Sequence, residues 1–570
     1  MKRVILFFAL ALSGLGLANA QWSSDPAENK QLLEESYWST EFAMRSDGSF
    51  FILSVNPLED INHVTPILFY FDKDGNKVWD EPIIFDIDST LTWIKTNTQL
   101  MVDNEGNAIV VAQDLCGYQI EKYTAWKVNP QGEHMWSEDG VNLHGETGMP
   151  DADVNAALKM TQMPDGSYIF AWMGDGIMLQ KVSSDGQLLW GKGKNIGSGA
   201  YPYVFDAGDG DIMVIYQTGG LEARRLDFEG NDVWPEPVSV FSGELNSQIP
   251  AWTYLKFTPT SDGVIAGYYG FEGTSAHYSM ISYIKFDGTH AFPEADEGLR
   301  LGYSDNFGFS PAVAVDEENQ AIYAVWQEYP GAQSIQRMVC QKISMDGELL
   351  WDSEGFELMP MESRPVSYQT VSIGPKGAIL FGVMEQYDID NNGLGANDPI
   401  NVHAFLMNGN GEFVWDDTSK IVCNVPSVKY DLTCLPYAND QWIFLWEDCR
   451  VDGGVDGGHI FGQNIRLDGS MGTETANERV SQISQNLTIT PNPVEEYARI
   501  QYDYNGNTTQ GAQISLVNLN GATVATIYRG NVVPGRNIIE WSRPSGLASG
   551  MYIIRVQIGQ EMVLGKIILR

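Results

Sequence analysis

The chain has 570 residues, 74 of them acidic against 34 basic, giving a formal net charge of −40. A surface this acidic repels nucleic acid and anionic lipid, both of which require a basic face, so neither is expected as a partner. The length suits about two to four domains, or fewer where a propeller or barrel runs long as one unit.

Residues 1–20 read as a Sec signal peptide. Lys2 and Arg3 give a positive start, an apolar run over 4–17 follows, and Ala18-Asn19-Ala20 forms a small-residue cleavage site before Gln21. Cleavage is expected between Ala20 and Gln21. No later stretch approaches the ~20 unbroken apolar residues of a spanning helix, so no transmembrane segment is expected.

From residue 28 to 472 a repeat governs the chain. A turn with an acidic or amide residue, then Gly, then an aromatic four residues later recurs as Asp74-Gly75…Trp79, Gln131-Gly132…Trp136, Asp185-Gly186…Trp190 and Glu229-Gly230…Trp234. It continues as Asp287-Gly288…Phe292, Asp346-Gly347…Trp351 and Asn410-Gly411…Trp415, while an eighth copy, Asp468-Gly469, lacks the aromatic. A second set of polar turns is interleaved, among them Ser46-Asp47-Gly48, Pro164-Asp165-Gly166 and Ala438-Asn439-Asp440. Near-continuous apolar strands follow these, such as Tyr168-Ile169-Phe170-Ala171-Trp172 and Trp442-Ile443-Phe444-Leu445-Trp446. Two hairpin turns per unit join three strands and a fourth links to the next unit. That is a four-stranded antiparallel blade, and the fold class is all-β with a β-propeller. Asp or Asn is expected to cap its own turn, and Gly to take the positive φ. Strands covered on both faces lose polar alternation, as these do.

Eight turn pairs predict eight blades, with seven blades plus an irregular unit as the alternative. Since strand pattern runs out after Met471, ring closure is expected to borrow an N-terminal strand near 37–43. The recurrent indoles are expected to pack between blades, and Gln180-Lys181, Gln341-Lys342 and Gln463-Asn464 to serve blade hydrogen bonding. The Gly-x-x-x-Trp spacing resembles the tryptophan-docking repeat of quinoprotein-like eight-bladed propellers. The resemblance implies the fold alone, because the chain has neither a vicinal cysteine pair nor a haem attachment motif.

Among five cysteines, Cys423, Cys434 and Cys449 cluster late, and Cys423–Cys434 is the first disulfide to test; Cys116 and Cys340 read as small buried apolar residues. The seven histidines show no metal-ligand spacing. Asp388-Ile389-Asp390-Asn391-Asn392-Gly393 has the D-x-D-x-N-G opening of a calcium loop, with Asp388, Asp390 and Asn392 as candidate ligands. Its closing acid is out of place, since the twelfth position is Pro399 and Asp398 lies one short. No other cofactor is expected. Glu328, Glu385, Glu447 and Asp448 follow apolar strands, where they could reach a propeller face or simply be solvated strand ends.

Residues 473–485 are polar and aperiodic, as a linker is. Beyond them alternating strands over 498–502, 512–518, 523–528, 537–541, 550–556 and 563–569 predict a small Ig-like β-sandwich of about seven strands. The Pro491-Asn492-Pro493 opening and the segment ending in Asn520-Gly521 lie in this region. So do the Ser549-Gly550-Met551-Tyr552 turn and the Gly565-Lys566-Ile567-Ile568-Leu569 tail. In that order these motifs resemble the type A C-terminal sorting domain of the type IX secretion system of the Bacteroidetes. The resemblance covers 486–570 and marks Pro491, Asn492, Pro493, Gly521, Gly550, Tyr552 and Lys566 as its signature. It implies Sec export, recognition by the type IX machinery, and a destination outside the outer membrane, either released or on the surface.

No nucleophile elbow, phosphate loop or dinucleotide fingerprint occurs. The function expected is therefore a secreted or surface-displayed binding or adhesion module for a glycan or protein. The alternative is a polysaccharide hydrolase or lyase acting at the mouth of the propeller channel, which requires two carboxylates within ~5–10 Å.

Overall fold

The recurrent turns adopt the backbone their residues dictate. Gly75, Gly132, Gly186, Gly230, Gly288, Gly347, Gly411 and Gly469 all have φ between 72° and 94°, a region that only glycine enters freely. Most turns are capped from two residues earlier than the acidic or amide position. Asp72 Oδ1 accepts from the backbone N–H of Asp74 and Asn76, and Asn129 Oδ1 from those of Gln131 and Glu133. Asp287 and Asp468 do cap their own turns, accepting from Thr289 and Ser470.

A computed structural model describes residues 21–34, 38–57, 64–85, 98–114, 120–145, 149–150, 157–243, 245, 255–272, 276–331, 335–361, 364–389, 397–451, 458–473, 487–504, 509–518, 523–533, 535–558 and 561–570. The chain divides into two compact units, one ending at Gly472 and the other beginning at Thr473.

In the first unit the described strands form eight antiparallel sheets, the blades of a propeller. The innermost strands are, in order, Trp38–Met44, Thr98–Val102, Lys159–Gln162, Ala200–Asp206, Lys256–Pro259, Ala312–Asp316, Pro365–Ile373 and Lys429–Ala438. Second strands are buried along most of their length, and wholly so in Ala321–Tyr329 and Gln441–Asp448, because a neighbouring blade covers each face.

The core lies between blades rather than at one centre. Each of eight apolar clusters joins two successive blades. For example, Ile109, Tyr123 and Trp136 of blade 2 pack with Leu158, Phe170 and Trp172 of blade 3. The last cluster joins Leu435, Ile443 and Leu445 of blade 8 to Phe50, Ile52 and Phe69 of blade 1, so the ring is closed.

The repeated aromatic has a defined seat. Trp79, Trp136 and Trp415 donate their indole N–H to the backbone carbonyls of Pro130, Ser184 and Leu467, each in the next blade's turn, at 2.9–3.0 Å. The ring then lies on that turn's glycine, and a Cβ on Gly186 would stand 2.9 Å from Trp136. The repeated Gln holds the same turn from below: Gln341 Oε1 accepts from the Trp351 N–H at 3.0 Å, while Gln341 Nε2 donates to the Asp352 carbonyl at 2.8 Å.

Closure departs from expectation. The strand Trp38–Met44 belongs to blade 1 as its innermost strand, and the closing strand is Lys30–Gln31, which pairs with Gly462 and Phe461 as the outermost strand of blade 8. The aromatic missing from the eighth repeat is supplied by Trp22. Its indole donates to the Lys73 carbonyl at 3.1 Å and lies on Gly75, the seat on a turn glycine that every other blade fills with its own aromatic. The Cys423–Cys434 pairing is also corrected. Both thiols are free, as are Cys340 and Cys449. Cys423 ends the outermost strand of blade 7 while Cys434 is in the innermost strand of blade 8. Three strand spacings, about 14 Å, separate those radii, far beyond disulfide reach. Cys116 lies outside the described residues.

One core histidine makes the blade seam sensitive to acid. His144, 3 % exposed, lies against Tyr123 and edge-on to Trp172 at 4.7 Å, and burial pulls its pKa down to about 4. The unfolded chain takes up this proton near pH 6.5 and the folded chain does not, so stability is lost as pH falls from about 6.5 towards 4. Urea unfolding at pH 7 and pH 4 should differ by about 3 kcal/mol more in the parent than in His144→Phe.

The second unit is a sandwich of two sheets. Thr488–Thr490, Tyr497–Tyr504 and Gly535–Ser542 form one, and Thr523–Val532, Gln510–Val517, Gly550–Ile558 and Glu561–Leu569 the other. Alternate residues point inward, so Ile500 and Tyr502 meet Ile514, Leu516, Ile554, Val556 and Ile567 in a single core.

Candidate functional site at the channel mouth

The innermost strands stand side by side around the ring, with contacts running from blade to blade and from blade 8 back to blade 1. Side chains alternate along them. Phe42 and Met44 enter the apolar seam with blade 8, which turns Glu41 the other way, toward blade 2. From there polar and aromatic groups link successive blades along the inner wall. Gln99 Nε2 donates to Glu41 Oε1 at 3.2 Å, and Lys159 Nζ donates to Gln99 Oε1 at 3.1 Å. The Lys159 ammonium stands 5.1 Å from the centre of the Tyr203 ring, and Tyr203 meets Phe257 at 4.2 Å. Thr258 then donates to the Val313 carbonyl, and across the ring Gln369 donates to the Ser310 carbonyl.

Glu41, Gln99, Lys159, Tyr203 and Lys256 each stand three residues before the end of their strand. They therefore lie at one level of the channel wall, the level at which the innermost strands of blades 3 and 5 begin. Glu41, Gln99, Lys159, Tyr203 and Phe257 are half-buried and Lys256 is exposed. Burial lowers the pKa of Lys159 and Lys256, Glu41 opposes that shift on both, and the charge of Lys256 deepens it on Lys159. Burial likewise pushes the Tyr203 phenol up. Sequence reasoning missed this set, although a signal was present: three of the eight innermost strands open on Lys, at Lys159, Lys256 and Lys429.

The carboxylates singled out from the sequence are placed elsewhere. Glu328 is 3 % exposed and accepts from Trp326 Nε1 at 2.9 Å, Ser304 Oγ at 2.9 Å, and Arg337 at 2.7 and 2.9 Å. Asp448 is fully buried and accepts from Trp446 Nε1, Ser427 Oγ and Arg450, with Lys429 Nζ at 3.8 Å. Neither is a solvated strand end; both are cross-strand ion pairs, for Glu328 faces Arg337 and Asp448 faces Lys429 in register. Glu447 is buried beside Asp448, and Glu385 has His403 Nε2 at 3.3 Å. Blades 6, 7 and 8 thus hold these acids separately.

Of the proposed calcium ligands Asp388 is described, while Asp390 and Asn392 lie outside the described residues, as do Ala20 and Gly521. Among the described residues no three acidic, His or Cys side chains are grouped to hold a metal. An outer cleft of about 450 Å³ between blades 3 and 4 is lined by Lys194, Asn195, Arg224 and Asp232 among others. Arg224 and Asp232 are already paired there at 3.0 Å. At blades 5 and 6 an aromatic ring of Tyr269, Phe271, Phe307, Phe309 and Tyr329 is filled by His277, whose two ring nitrogens contact the Gly308 carbonyl and the Tyr329 hydroxyl.

In the sandwich, the Pro491-Asn492-Pro493 opening works as a clip on the last strand. Asn492 donates to the Lys566 carbonyl at 2.8 Å and accepts from the Ile568 N–H at 2.9 Å, and Val494 N–H donates to the Ile568 carbonyl at 2.7 Å. Both prolines follow cis peptide bonds. Gly550 opens the penultimate strand, and the Tyr552 hydroxyl donates to the Ala548 carbonyl at 3.0 Å.

Residues 488–570 match the family described as the secretion system C-terminal sorting domain. No curated protein matches the sequence. Among solved structures, the Dos1 propeller is 10% identical over 78% of this chain and 95% of its own, with a TM-score of 0.38. A B. megaterium levansucrase variant is 11% identical over 80% and 92%, with a TM-score of 0.30. An endo-arabinase from Bacteroides thetaiotaomicron VPI-5482 is 9% identical over 47% and 94%, with a TM-score of 0.27. At these scores none of the three bears on what this chain binds. The sorting domain marks the chain for recognition by the secretion machinery and for export to the cell surface or beyond it. No helix among the described residues is long and apolar enough to cross a membrane.

Proposed function

We propose that the propeller of this secreted cargo is a non-catalytic binding module, taking a glycan or protein ligand at the channel mouth. The observation that carries this reading is the division of polar groups between two places. The strand-end carboxylates that a hydrolase would need are consumed in buried ion pairs, Glu328 with Arg337 and Asp448 with Arg450. The channel wall instead offers Gln99, Lys159 and Tyr203 as hydrogen-bonding and stacking groups. Small-ligand sites favour such a concave mix of aromatic and sparse polar groups. A glycan and protein array run beside a reducing-end release assay on the same panel tests it. Binding without release is expected; release of reducing ends by the purified protein would overturn it.

Export follows the route implied by the two ends of the chain. Removal of the leader at Ala20–Gln21 and passage through the type IX machine complete the proposal. Because Asn492 secures the final strand through two backbone bonds, Asn492→Ala should loosen the sandwich by roughly 1–3 kcal/mol. The expected result is a fall in the exported fraction on cell fractionation, with the propeller's own melting unchanged.

A further inference from the structure

We propose that the outer cleft between blades 3 and 4 is a second carbohydrate site, taking a neutral sugar of a glycan on the rim of the propeller. The cleft shares no lining residue with the channel wall described above, so occupancy of one place does not require occupancy of the other.

Blade 4 breaks the repeat at two facing positions. A bridge closes each outer turn onto the third strand, Val182 to Leu188 in blade 3, Leu226 to Asp232 in blade 4 and Ile343 to Leu349 in blade 6. Two residues before the bridge, blades 3 and 6 carry Gln180 and Gln341, whose Oε1 atoms accept from the Trp190 and Trp351 N–H groups at 3.2 and 3.0 Å. Blade 4 has Arg224 there, and an acid in place of the leucine across from it. Arg224 Nη1 donates to both Asp232 oxygens at 3.0 and 3.2 Å, and Nε donates to the Tyr216 hydroxyl at 3.3 Å. Tyr216 donates in turn to Glu222 at 3.2 Å. The guanidinium is thus fixed from two sides, while its Nη2 makes no hydrogen bond among the described residues. A Cβ built on Gly197 would stand 3.9 Å from Nη2, so the edge of blade 3 approaches that nitrogen without bonding it.

The remaining hydrogen-bonding capacity of the cleft mixes donors with acceptors. Lys194 donates once, to the Glu229 carbonyl, and stands 5.2 Å from the centre of the Trp190 ring, which leaves two ammonium protons. Asn231 commits its amide nitrogen to Asp227 at 3.0 Å and keeps its Oδ1. Asp232 keeps lone pairs beyond those that Arg224 uses. Leu226 and Ile196, from the apolar seam between blades 3 and 4, add an apolar lining. Neighbouring sugar hydroxyls, each both donor and acceptor, suit this mixture, and the C–H face of the ring suits the apolar lining. An anion would meet the Asp232 carboxylate, to which the guanidinium is already committed, so a neutral sugar is preferred to an acidic one. The volume of about 450 Å³ is in the range of small-ligand sites.

An array of neutral and acidic glycans, probed with the full chain and three variants, tests the cleft. Arg224→Gln combined with Asp232→Leu gives blade 4 the residues that blades 3 and 6 carry at these positions. Both charges of the pair leave together, so the melting temperature should hold. Lys194→Gln alters the opposite wall, and Lys159→Gln alters the channel alone. At least one neutral glycan should bind the parent and Lys159→Gln equally. It should bind the double variant and Lys194→Gln roughly tenfold more weakly, the loss that one or two charge-assisted hydrogen bonds account for. Parent-like binding of every neutral glycan by the double variant and by Lys194→Gln overturns the rim site. Loss of all neutral binding in Lys159→Gln places that binding in the channel, which overturns the rim site and leaves the binding module in place. Weakening confined to acidic glycans overturns the neutral ligand. An array on which no glycan binds overturns the rim site, and if no protein binds either, the binding module falls with it.

Discussion

Trp22→Ala should destabilise the propeller by about 3–5 kcal/mol, as much as losing a fully packed core aromatic. Trp22 is 3 % exposed, its indole bonds the Lys73 carbonyl, and Lys30 from the closing strand reaches over it at 5.6 Å to bond the Asp74 carbonyl and Asn76. The same stretch places Leu32 and Leu33 in the seam between blades 8 and 1. Removing 21–33 therefore deletes one seat of an eight-seat ring together with the outer strand of blade 8. That truncation should abolish a single cooperative transition and leave a broad, early melt. Urea denaturation followed by Trp fluorescence and circular dichroism reads both effects. A Trp22→Ala midpoint within error of the parent would show that the N-terminal segment merely rests on a ring already complete.

Asp448→Asn should cost about 3–5 kcal/mol, because it strands two cations without a counter-charge. Asp448 and Lys429 are fully buried, and Lys429 spends its donors on the carbonyls of Ile400, Val425 and Ser427, so it cannot turn to water. Burial alone would raise the pKa of Asp448. Arg450, Lys429 and the Ser427 hydroxyl more than offset that and hold it below the usual carboxylate range. The stability it contributes is present above the unfolded pKa near 4 and is lost as pH falls below that value. Lys429→Met should cost less than Asp448→Asn, since Arg450 still neutralises the carboxylate at 2.5 Å. Equal losses in the two variants would mean that burial of shape, rather than of charge, dominates this corner.

Local chemistry was legible in the sequence and long-range chemistry was not. Each Gly-turn is set by four or five residues, so Gly75 through Gly469 could be counted and the blades with them. Trp136 could be assigned to inter-blade packing because its partner turn recurs at the next repeat. The bare eighth copy, Asp468-Gly469, looked like a repeat running out, because its aromatic stands more than four hundred residues away at position 22. The pairing of Lys30 with Gly462 is equally remote. The strand-end acids were visible, but their fate depended on register: Glu328 opposite Arg337, and Asp448 opposite Lys429. A solvated carboxylate and a paired one look identical until the facing strand is aligned. The channel wall required knowing which face of each first strand turns inward, and Glu41 declares that only once Phe42 and Met44 are seen in the core.

The position of the closing strand also governs when this molecule can finish folding. Residues 22–33 are synthesised before the rest of the propeller, yet their docking partners at Ile443, Leu445 and Ile460 come more than four hundred residues later. Contacts of such high sequence separation form late and slowly. Until then the nascent chain carries an uncovered apolar flank on blade 1, together with the loose Trp22, Leu32 and Leu33. A chain stalled or cleaved before Ile465 never acquires the surface that covers it, and such exposed strands and apolar faces seed aggregation. Completion of synthesis is thus built into the fold as a checkpoint, enforced by which segment was left for last.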